Sequence, residues 1–521
     1  MLKKILMLFK IGRKLSKSGA ISSFYEIYNP PLIIKIIFFI IGFDLSEKKS
    51  DENLSAGIKL RDALQGMGTT FIKLGQFLAT RPDIIGKNIS AELEKLQDKL
   101  PAFSQSEAKN ILSLELGEKN FSHILNLSEP VAAASIAQVH FAKIKNTNKN
   151  EEIAIKILRP NIEKIFNEEL DALMLLAYII ENLVKKTKRL KLVEIIQLLR
   201  EITNVEMDLR FEAAAASEFY ENTKNDIGFK VPKIYWNYTT KKILCLDKVT
   251  GFSIRDIEKL RSLNIDLKKL AKNTIQHFLR HAIRDGFFHG DMHQGNLFVA
   301  KSGDIIPVDF GIMGRLDKNN KKYLAEILYG FIKRDYKKVA EIHILAGLVS
   351  KNTSKDDFAQ ALRSIGEPIF GQSVQNISGS KLLSQLFEVT EKFNMHTQIQ
   401  LLLLQKTMVV VEGVARKLDP EANIWDISKP ILEGWLKELK DPIKITGEAF
   451  GNASEILKRI PDLPIIMDRA NDVMTLITEG KFNPNTLAYH GLKNEELKLE
   501  IMRNKILGGV LVLVIFVVIV F

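Results

Sequence analysis

This chain has almost no cysteine and none of the glycine-rich fingerprints of redox cofactors. Cys245 is the one cysteine among 521 residues, which excludes an intrachain disulfide framework and is typical of a reducing compartment. The sequence contains no glycine fingerprint of a flavin or NAD site and no iron-ligand pattern, so a redox enzyme that uses these cofactors has no support. Hydrophobic residues make up 46% of the chain, which is enough to build large cores.

Acidic residues are fewer than basic residues, and the formal net charge is +12. The chain lacks zinc-ligand spacing and aromatic–basic repeats, so we interpret the excess as attraction to anionic lipid rather than to nucleic acid. Residues 1–18, MLKKILMLFKIGRKLSKS, mix lysine and arginine with large apolar residues. This pattern predicts a basic amphipathic helix. A targeting peptide is the alternative, but no A-x-A-like cleavage site follows.

Long hydrophobic runs are also scarce. Residues 506–521 carry no polar side chain, yet this run is shorter than the roughly 20 residues that span a bilayer comfortably. We expect a membrane segment here, and a buried terminal helix is the alternative. Arg503 and Lys505 precede the run and favour a cytoplasmic position for the preceding body. The apolar stretch 31–43 is too short for a span and is expected to be interfacial.

The most informative segment runs from His289 to Gly311 and reads HGDMHQGNLFVAKSGDIIPVDFG. Asp291 is followed five residues later by Asn296, and two apolar strands joined by a Ser-Gly-Asp turn lead to Asp309. Such a hairpin sets two carboxylates and an amide at one end of a strand pair. The pattern predicts phosphoryl transfer from Mg-ATP, with Asp291 orienting the reacting hydroxyl or water and with Asn296 and Asp309 as metal ligands.

A metallohydrolase is the rival interpretation of the same segment. His289 and His293 flank the aspartate in an H-x-D-x-H pattern that could bind a metal ion. The other seven of the nine histidines are scattered. This interpretation explains neither Asn296 nor Asp309, so we favour the phosphoryl-transfer site.

A lysine upstream completes the expected nucleotide site. Lys156 lies in an apolar predicted strand, where its ammonium can contact nucleotide phosphates; an edge lysine facing solvent is the alternative. Residues 201–220 offer Glu206, Asp208 and Glu212 as carboxylate partners. We predict Glu212, because it begins an alanine-rich turn that another backbone can approach closely.

An alanine-rich loop replaces the glycine-rich phosphate loop of ordinary kinases. It precedes the lysine strand and consists of Ala132, Ala133, Ala134 and Ser135. Glycine lets backbone N–H groups close around phosphate, and alanine restricts that freedom. We therefore expect the phosphates to be held differently here, although an alanine run in isolation would be only a helix start.

The order of predicted elements, strands before helices, indicates a small lobe and a large lobe with a cleft between them. Residues 162–219 are predicted to form two long helices, broken near Lys188. The fold class is α+β, a protein-kinase-like bilobal fold with a helical N-terminal extension and a C-terminal membrane segment. The expected regions are a basic membrane-proximal region (1–50), a helical extension (51–125), a kinase-like N-lobe with inserted helices (126–250), a kinase-like C-lobe (251–420), a helical C-terminal region (421–505) and an apolar membrane segment (506–521).

Together these features resemble the UbiB family of atypical kinases, whose animal members are called ADCK proteins, and in particular its bacterial branch. The resemblance covers roughly residues 50–420. Beyond the nucleotide site it includes a K-x-G-Q motif and an E-x-D motif, which ordinary kinases lack. The matching residues are Lys73, Gly75 and Gln76; Ala132 to Ala134; Lys156; Glu206 and Asp208; Glu212; Asp291; Asn296; and Asp309.

The resemblance implies ATP and Mg²⁺ as cofactors and a role in ubiquinone biosynthesis at a membrane. It implies that Lys156, Glu212 and the loop Ala132–Ser135 hold the nucleotide. It further implies a regulatory contact in which the K-x-G-Q segment lies over the peptide-substrate site, touches the residues matching Glu206 and Asp208, and restrains protein phosphorylation.

We therefore expect a membrane-associated atypical kinase or ATPase whose Mg-ATP turnover supports the processing of polyprenyl-phenol intermediates of ubiquinone. A small-molecule or protein kinase and a nucleotide-binding scaffold remain open as alternatives. The expected partners are anionic membrane lipid, polyprenyl-phenol quinone precursors and other ubiquinone-biosynthesis enzymes; a homodimer stays open, and nucleic acid is not expected. The expected location is the cytoplasmic face of the bacterial inner membrane.

Overall fold

The computed structural model describes residues 2–17, 55–79, 85–96, 100–145, 150–183, 191–371, 389, 392–393 and 399–439. The chain divides into two compact units, Met1–Leu436 and Lys437–Phe521, and the account below concerns the first. The predicted apolar segments 31–43 and 506–521 lie outside the described residues, and so does the part of the region 421–505 that follows Leu439. Over the residues that are described, none of the helices has both the length and the apolar character needed to cross a membrane.

The described elements alternate between helical and strand-rich stretches. The helices are α1 (Leu2–Lys17), α2 (Ala56–Met67), α3 (Thr69–Ala79), α4 (Lys87–Leu93), α5 (Gln105–Phe121), α6 (Ile162–Leu183), α7 (Leu192–Glu206), α8 (Leu209–Thr223), α9 (Ile257–Ser262), α10 (Leu267–Arg280), α11 (Lys318–Ile332), α12 (Tyr336–Leu345), α13 (Lys355–Gly371), α14 (Ile399–Leu418) and α15 (Ile424–Leu439). The strands are β1 (Ile124–Leu125), β2 (Ala132–Ala133), β3 (Ala137–Ile144), β4 (Glu151–Leu158), β5 (Ile243–Asp247), β6 (Phe252–Ser253), β7 (Phe287–His289), β8 (Leu297–Val299), β9 (Ile305–Pro307) and β10 (Met313–Arg315).

The small-lobe sheet is antiparallel in the order β1-β3-β4-β5, with β2 paired to the same strand β3. Successive side chains of a strand point to opposite faces. In β4 this alternation buries Ile153, Ile155 and Ile157 in a core that includes Ala108 and Leu112 of α5. Lys156 lies between two of these isoleucines and therefore points to the opposite face. A hydrophobic pattern visible in the sequence thus directs the lysine toward the cleft.

The helices inserted after β4 differ from the prediction of two long helices, because three are present. The second break comes at Asp208, whose carboxylate accepts a hydrogen bond from the backbone N–H of Arg210 at 3.2 Å and begins α8. The N–H of Leu209 donates to the carbonyl of Lys241 at 2.9 Å. The apolar periodicity of residues 162–219 continues across this break, which is why the pattern did not reveal it.

The large lobe holds the predicted catalytic hairpin, residues 289–311, in two small sheets. Strand β8 pairs with β6 and β9, and β7 pairs with β10. Helices α10 and α14 pack against each other beside this hairpin and share its apolar core, which contains Phe278, Phe288, Val411 and Val414. The strands that carry the predicted site residues are therefore buttressed by helices from much later in the chain.

The N-terminal extension packs its apolar residues against α6. Leu8 and Ile11 of α1 are buried in a core with Ala172 of α6 and Phe71 of α3. Basic residues at five positions of this amphipathic helix are exposed: Lys3, Lys4, Lys10, Arg13 and Lys14. The apolar face of α1 is thus occupied by protein, and its basic face is left toward solvent.

Gly75 explains how closely α3 approaches its neighbours. A Cβ atom at this position would lie 2.3 Å from Cδ1 of Leu96 and 2.9 Å from Cδ1 of Leu64. Both leucines are buried, so they have little room to move. The glycine of the K-x-G-Q motif therefore has a packing role that its position in an apolar helix did not indicate.

We expect Gly75→Ala to destabilise the protein by about 1–3 kcal/mol through overpacking. The matched control is Gly413→Ala in α14, where a Cβ meets nothing within 4 Å; there alanine should stabilise by about 0.8 kcal/mol through helix propensity. Denaturant unfolding of both variants measures the two values. A shift of the same sign in both variants would show that close approach does not limit position 75.

Candidate active site

Lys156 is the point at which three parts of the fold meet. Its Nζ lies 2.9 Å from both carboxylate oxygens of Glu212 on α8 and 3.0 Å from Oδ1 of Asp309 in the loop after β9. The side chains of Lys156 and Glu212 are 14% and 9% exposed, whereas that of Asp309 is 51% exposed. The structure therefore brings together three predicted residues from separate elements, with Asp309 on the open side of the cluster.

The charges of this cluster are strongly coupled. Burial by itself lowers the pKa of Lys156, but the carboxylates of Asp309 and Glu212 more than offset this effect and raise that pKa. The ammonium of Lys156 in turn holds the pKa of Asp309 far below its usual range. Burial raises the pKa of Glu212. Asp309 is consequently the carboxylate that stays ionised most firmly, as a ligand for a hard cation must.

Asp291 and Asn296 form the second half of the site. Nδ2 of Asn296 donates to the carbonyl oxygen of Asp291 at 3.1 Å and lies 3.3 Å from its Oδ2. These bonds engage the nitrogen of the amide and leave its oxygen as the atom suited to a cation. Asp309 has a left-handed backbone with φ of 64°, uncommon for a non-glycine residue. Amide and carboxylate oxygens on one hairpin fit the ligand preference of Mg²⁺.

Both histidines of the metallohydrolase alternative accept a backbone hydrogen bond at Nδ1, and Nε2 of His293 also lies 3.6 Å from Oδ2 of Asp291. Nδ1 of His289 accepts from the N–H of Asp291 at 3.1 Å, and its Nε2 lies 3.3 Å from the carbonyl of Val308. Nδ1 of His293 accepts from the N–H of Gly295 at 2.9 Å. With both ring nitrogens engaged, His289 has no lone pair for a metal ion, and the phosphoryl-transfer interpretation is favoured.

One other histidine–carboxylate cluster occurs in the described part of the chain, and spacing alone did not reveal it. It joins Asp226 to His277 of α10 and to His281, which directly follows α10. Arg284 donates to both oxygens of Asp226, at 2.7 and 3.0 Å. The guanidinium already neutralises the carboxylate, so we interpret the cluster as a structural clamp between the end of α8 and the large lobe.

The alanine-rich loop is held from two sides. Ala132 and Ala133 form β2 on the edge of β3. The carbonyl of Ala134 accepts from Nη2 of Arg159 at 2.8 Å, and the carbonyl of Ser135 accepts from Oγ1 of Thr69 at 2.9 Å. Sequence reasoning missed Arg159 and Thr69. The threonine contact ties α3 directly to the loop that stands in for the phosphate loop.

The K-x-G-Q and E-x-D motifs meet in an ion pair. Nζ of Lys73 lies 2.9 Å from Oε2 of Glu206, the last residue of α7. Asp208 instead caps α8 and pairs with the guanidinium of Arg210, Nη2 to Oδ2 at 2.6 Å. Gln76 lies half-buried on α3. Of the two acidic residues of E-x-D, the structure thus places Glu206 against the lysine and gives Asp208 a capping position.

Comparison with known proteins agrees with this geometry. Residues 95–343 match the ABC1 atypical kinase-like domain, and residues 362–423 match the UbiB helical domain. A probable protein kinase UbiB from Marinobacter nauticus is 34% identical over 92% of this chain and 87% of its own length. The corresponding protein of Pseudomonas entomophila is 35% identical over 88% of this chain and 84% of its own length. That of Pseudomonas aeruginosa is 38% identical over 79% of this chain and 76% of its own length.

The molecule therefore contains an atypical kinase-like domain of mixed α and β structure. On the strength of these relatives, the chain belongs to the UbiB family, as its motifs indicated, and the relatives named here are bacterial proteins. A solved complex of Rv3197 with erythromycin, from Mycobacterium tuberculosis, is similar with a TM-score of 0.46 and 22% identity over 68% of this chain and 89% of that chain.

We expect Lys156→Met to lower the free energy of unfolding by about 3 kcal/mol at pH 7, because it leaves two carboxylates facing each other without the ammonium. Burial already raises the pKa of Glu212. A carboxyl with a raised folded-state pKa stabilises below its unfolded pKa and loses that contribution as pH rises. The loss should therefore be smaller at pH 5 than at pH 7.

Denaturant unfolding at the two pH values provides the measurement. Lys224→Met is the control, because it breaks the exposed Lys224–Glu221 pair on the surface and should change little at either pH. An equal loss at pH 5 and pH 7 for Lys156→Met would contradict the electrostatic account of the cluster.

Proposed function

We propose that this protein is a membrane-associated atypical kinase or ATPase that supports ubiquinone biosynthesis. The observation that carries the proposal is the contact of one lysine, Lys156, with Glu212 and Asp309 in a family of kinase-like proteins. A buried ammonium held by a helix carboxylate beside a metal-binding carboxylate is the arrangement that protein kinases need for phosphoryl transfer.

Each site residue has a proposed role. Lys156, oriented by Glu212, holds nucleotide phosphates, with the loop Ala132–Ser135 next to them. Asn296 and Asp309 would hold Mg²⁺, which supplies neutralisation of phosphate charge when bound. Asp291 orients the attacking water or hydroxyl, and its own carboxylate is kept in place by the amide of Asn296.

Hydrolysis, or transfer to a small acceptor, is favoured over phosphorylation of a protein. Helix α3 contacts the alanine-rich loop through Thr69 and the E-x-D segment through Lys73. A helix fastened at both points restricts the space that an extended peptide would need. The proposed reaction is ATP turnover that helps polyprenyl-phenol intermediates reach the enzymes that modify them, and Lys73, Gly75, Gln76, Glu206 and Asp208 are proposed to regulate it.

Membrane association is proposed to be electrostatic at the N-terminus. The apolar residues Leu8 and Ile11 of α1 are buried against protein, whereas Lys3, Lys10 and Lys14 are exposed. A basic face without a free apolar face attracts anionic lipid but does not insert. The proposed location is the cytoplasmic face of the bacterial inner membrane, with other biosynthetic enzymes, and a second copy of the chain, as further proposed partners.

We expect Asp309→Asn to reduce Mg-dependent ATP hydrolysis at least a hundredfold, because the amide replaces the ionised ligand of the cation. The assay uses the full chain with ATP, with and without vesicles containing anionic lipid and with a soluble phenol as a mimic of the quinone precursor. Turnover should rise with the vesicles or the phenol. Glu258→Gln, which removes an exposed charge on the same lobe, is the matched control and should retain wild-type turnover.

Two results would overturn the proposal. Unchanged turnover in Asp309→Asn would show that Asp309 is not needed for ATP hydrolysis. Nucleotide binding without any turnover in the wild type, with vesicles and phenol present, would instead favour a nucleotide-binding scaffold.

A further inference from the structure

One face of α14 lies against the catalytic hairpin. Gln400, Leu403 and Thr407 recur at spacings of three and four residues, so they share a side of the helix. Oε1 of Gln400 accepts from the N–H of Arg315 at 3.2 Å. Oγ1 of Thr407 lies 2.8 Å from the carbonyl oxygen of Gly290, and the threonine is 1% exposed. This helix lies within the region matched by the UbiB helical domain.

Gly290 immediately precedes Asp291 and allows the helix to come this close. A Cβ atom on Gly290 would lie 3.0 Å from Cδ2 of Leu403 and 2.9 Å from Cγ2 of Ile312. The N–H of Gly290 donates to the carbonyl of Ile312 at 2.8 Å. The loop thus packs closely against both α14 and the residue that precedes β10.

The peptide unit between Gly290 and Asp291 is held at both of its polar atoms. Its carbonyl oxygen accepts from the hydroxyl of Thr407, and its N–H donates to Nδ1 of His289 at 3.1 Å. A peptide unit is planar, so two bonds at opposite ends fix its orientation about the chain. That orientation sets the direction in which the Asp291 side chain leaves the backbone.

We propose that Thr407 is a positioning residue for Asp291, and that α14 is part of the catalytic apparatus rather than an appended module. The predicted effect of Thr407 on ATP turnover rests on the proposed function. Its predicted effect on the conformation of the catalytic loop does not. A hydroxyl has a single proton, and Oγ1 of Thr407 is also 2.8 Å from the carbonyl oxygen of Leu403, one turn earlier in its own helix, so the two carbonyls share that proton. The test must therefore separate the bond to Gly290 from an ordinary intrahelical bond.

Thr274 provides the matched control. It is a fully buried threonine of α10, the helix that packs against α14, and its hydroxyl bonds the carbonyl of Leu270 at 2.8 Å. Both Thr407→Val and Thr274→Val delete a buried intrahelical hydroxyl bond while preserving shape. Only Thr407→Val also removes the contact with the catalytic loop, and Thr407→Ser keeps that contact.

Two measurements are made on the full chain. The first is Mg-dependent ATP hydrolysis, in which kcat of Thr407→Val should fall about tenfold because a displaced catalytic group reacts slowly. KM for ATP should stay within twofold, and Thr407→Ser and Thr274→Val should both retain wild-type kcat. The second is amide hydrogen exchange without nucleotide, in which the amides of residues 290–293 should exchange faster in Thr407→Val but not in Thr274→Val.

The two measurements separate the two proposals. Unchanged loop exchange in Thr407→Val, or an equal effect in Thr274→Val, would overturn the positioning role whatever the kinetics show. Faster loop exchange with kcat unchanged would also overturn it, because Asp291 would then act equally well without the bond from Thr407. Faster loop exchange in a protein whose wild type shows no ATP turnover would sustain the structural part of the inference and overturn the proposed function.

Discussion

The arrangement of this protein depends on one buried ammonium. Lys156 is carried by an otherwise apolar strand, and a charge in that position costs free energy unless carboxylates surround it. Glu212 and Asp309 lie within 3.0 Å of its Nζ, and they come from helix α8 and from the loop after β9. The small-lobe sheet, the inserted helix and the predicted catalytic hairpin must therefore converge on this atom, and the proposed nucleotide site is the place where they do so.

Ion pairs away from Lys156 hold these elements in their relative positions. Nη1 of Arg315, on β10, donates to Glu218 of α8 at 2.8 Å, and Arg284 holds Asp226 just beyond the end of the same helix. The helix that presents Glu212 is thus fastened to the large lobe at its carboxyl-terminal part. On the opposite side, α14 supports the loop that carries Asp291. A kinase-like site is here enclosed by helices that precede, interrupt and follow the catalytic core.

The residues of the site were largely predictable because each carries chemistry with a recognisable spacing. Asp291, Asn296 and Asp309 share one hairpin, and the alternation of β4 directs Lys156 away from the isoleucine core. The choice of Glu212 over its acidic neighbours agrees with the ion pair in the structure. The expectation of two long helices was wrong, because apolar periodicity continues through the break at Asp208. The segments 31–43 and 506–521 remain predictions, since they lie outside the described residues.

The sequence by itself determined the family and predicted the chemical class of the site, because charged residues at fixed spacings in apolar surroundings admit few interpretations. Only the tertiary structure decided which groups support that site. Thr407 is separated from Gly290 by 117 positions along the chain, and Thr69 is separated from Ser135 by 66. A threonine hydroxyl or a glycine in an apolar helix has no distinctive pattern. Its role depends on which backbone lies against it, and that is set by the packing of distant elements rather than by local periodicity.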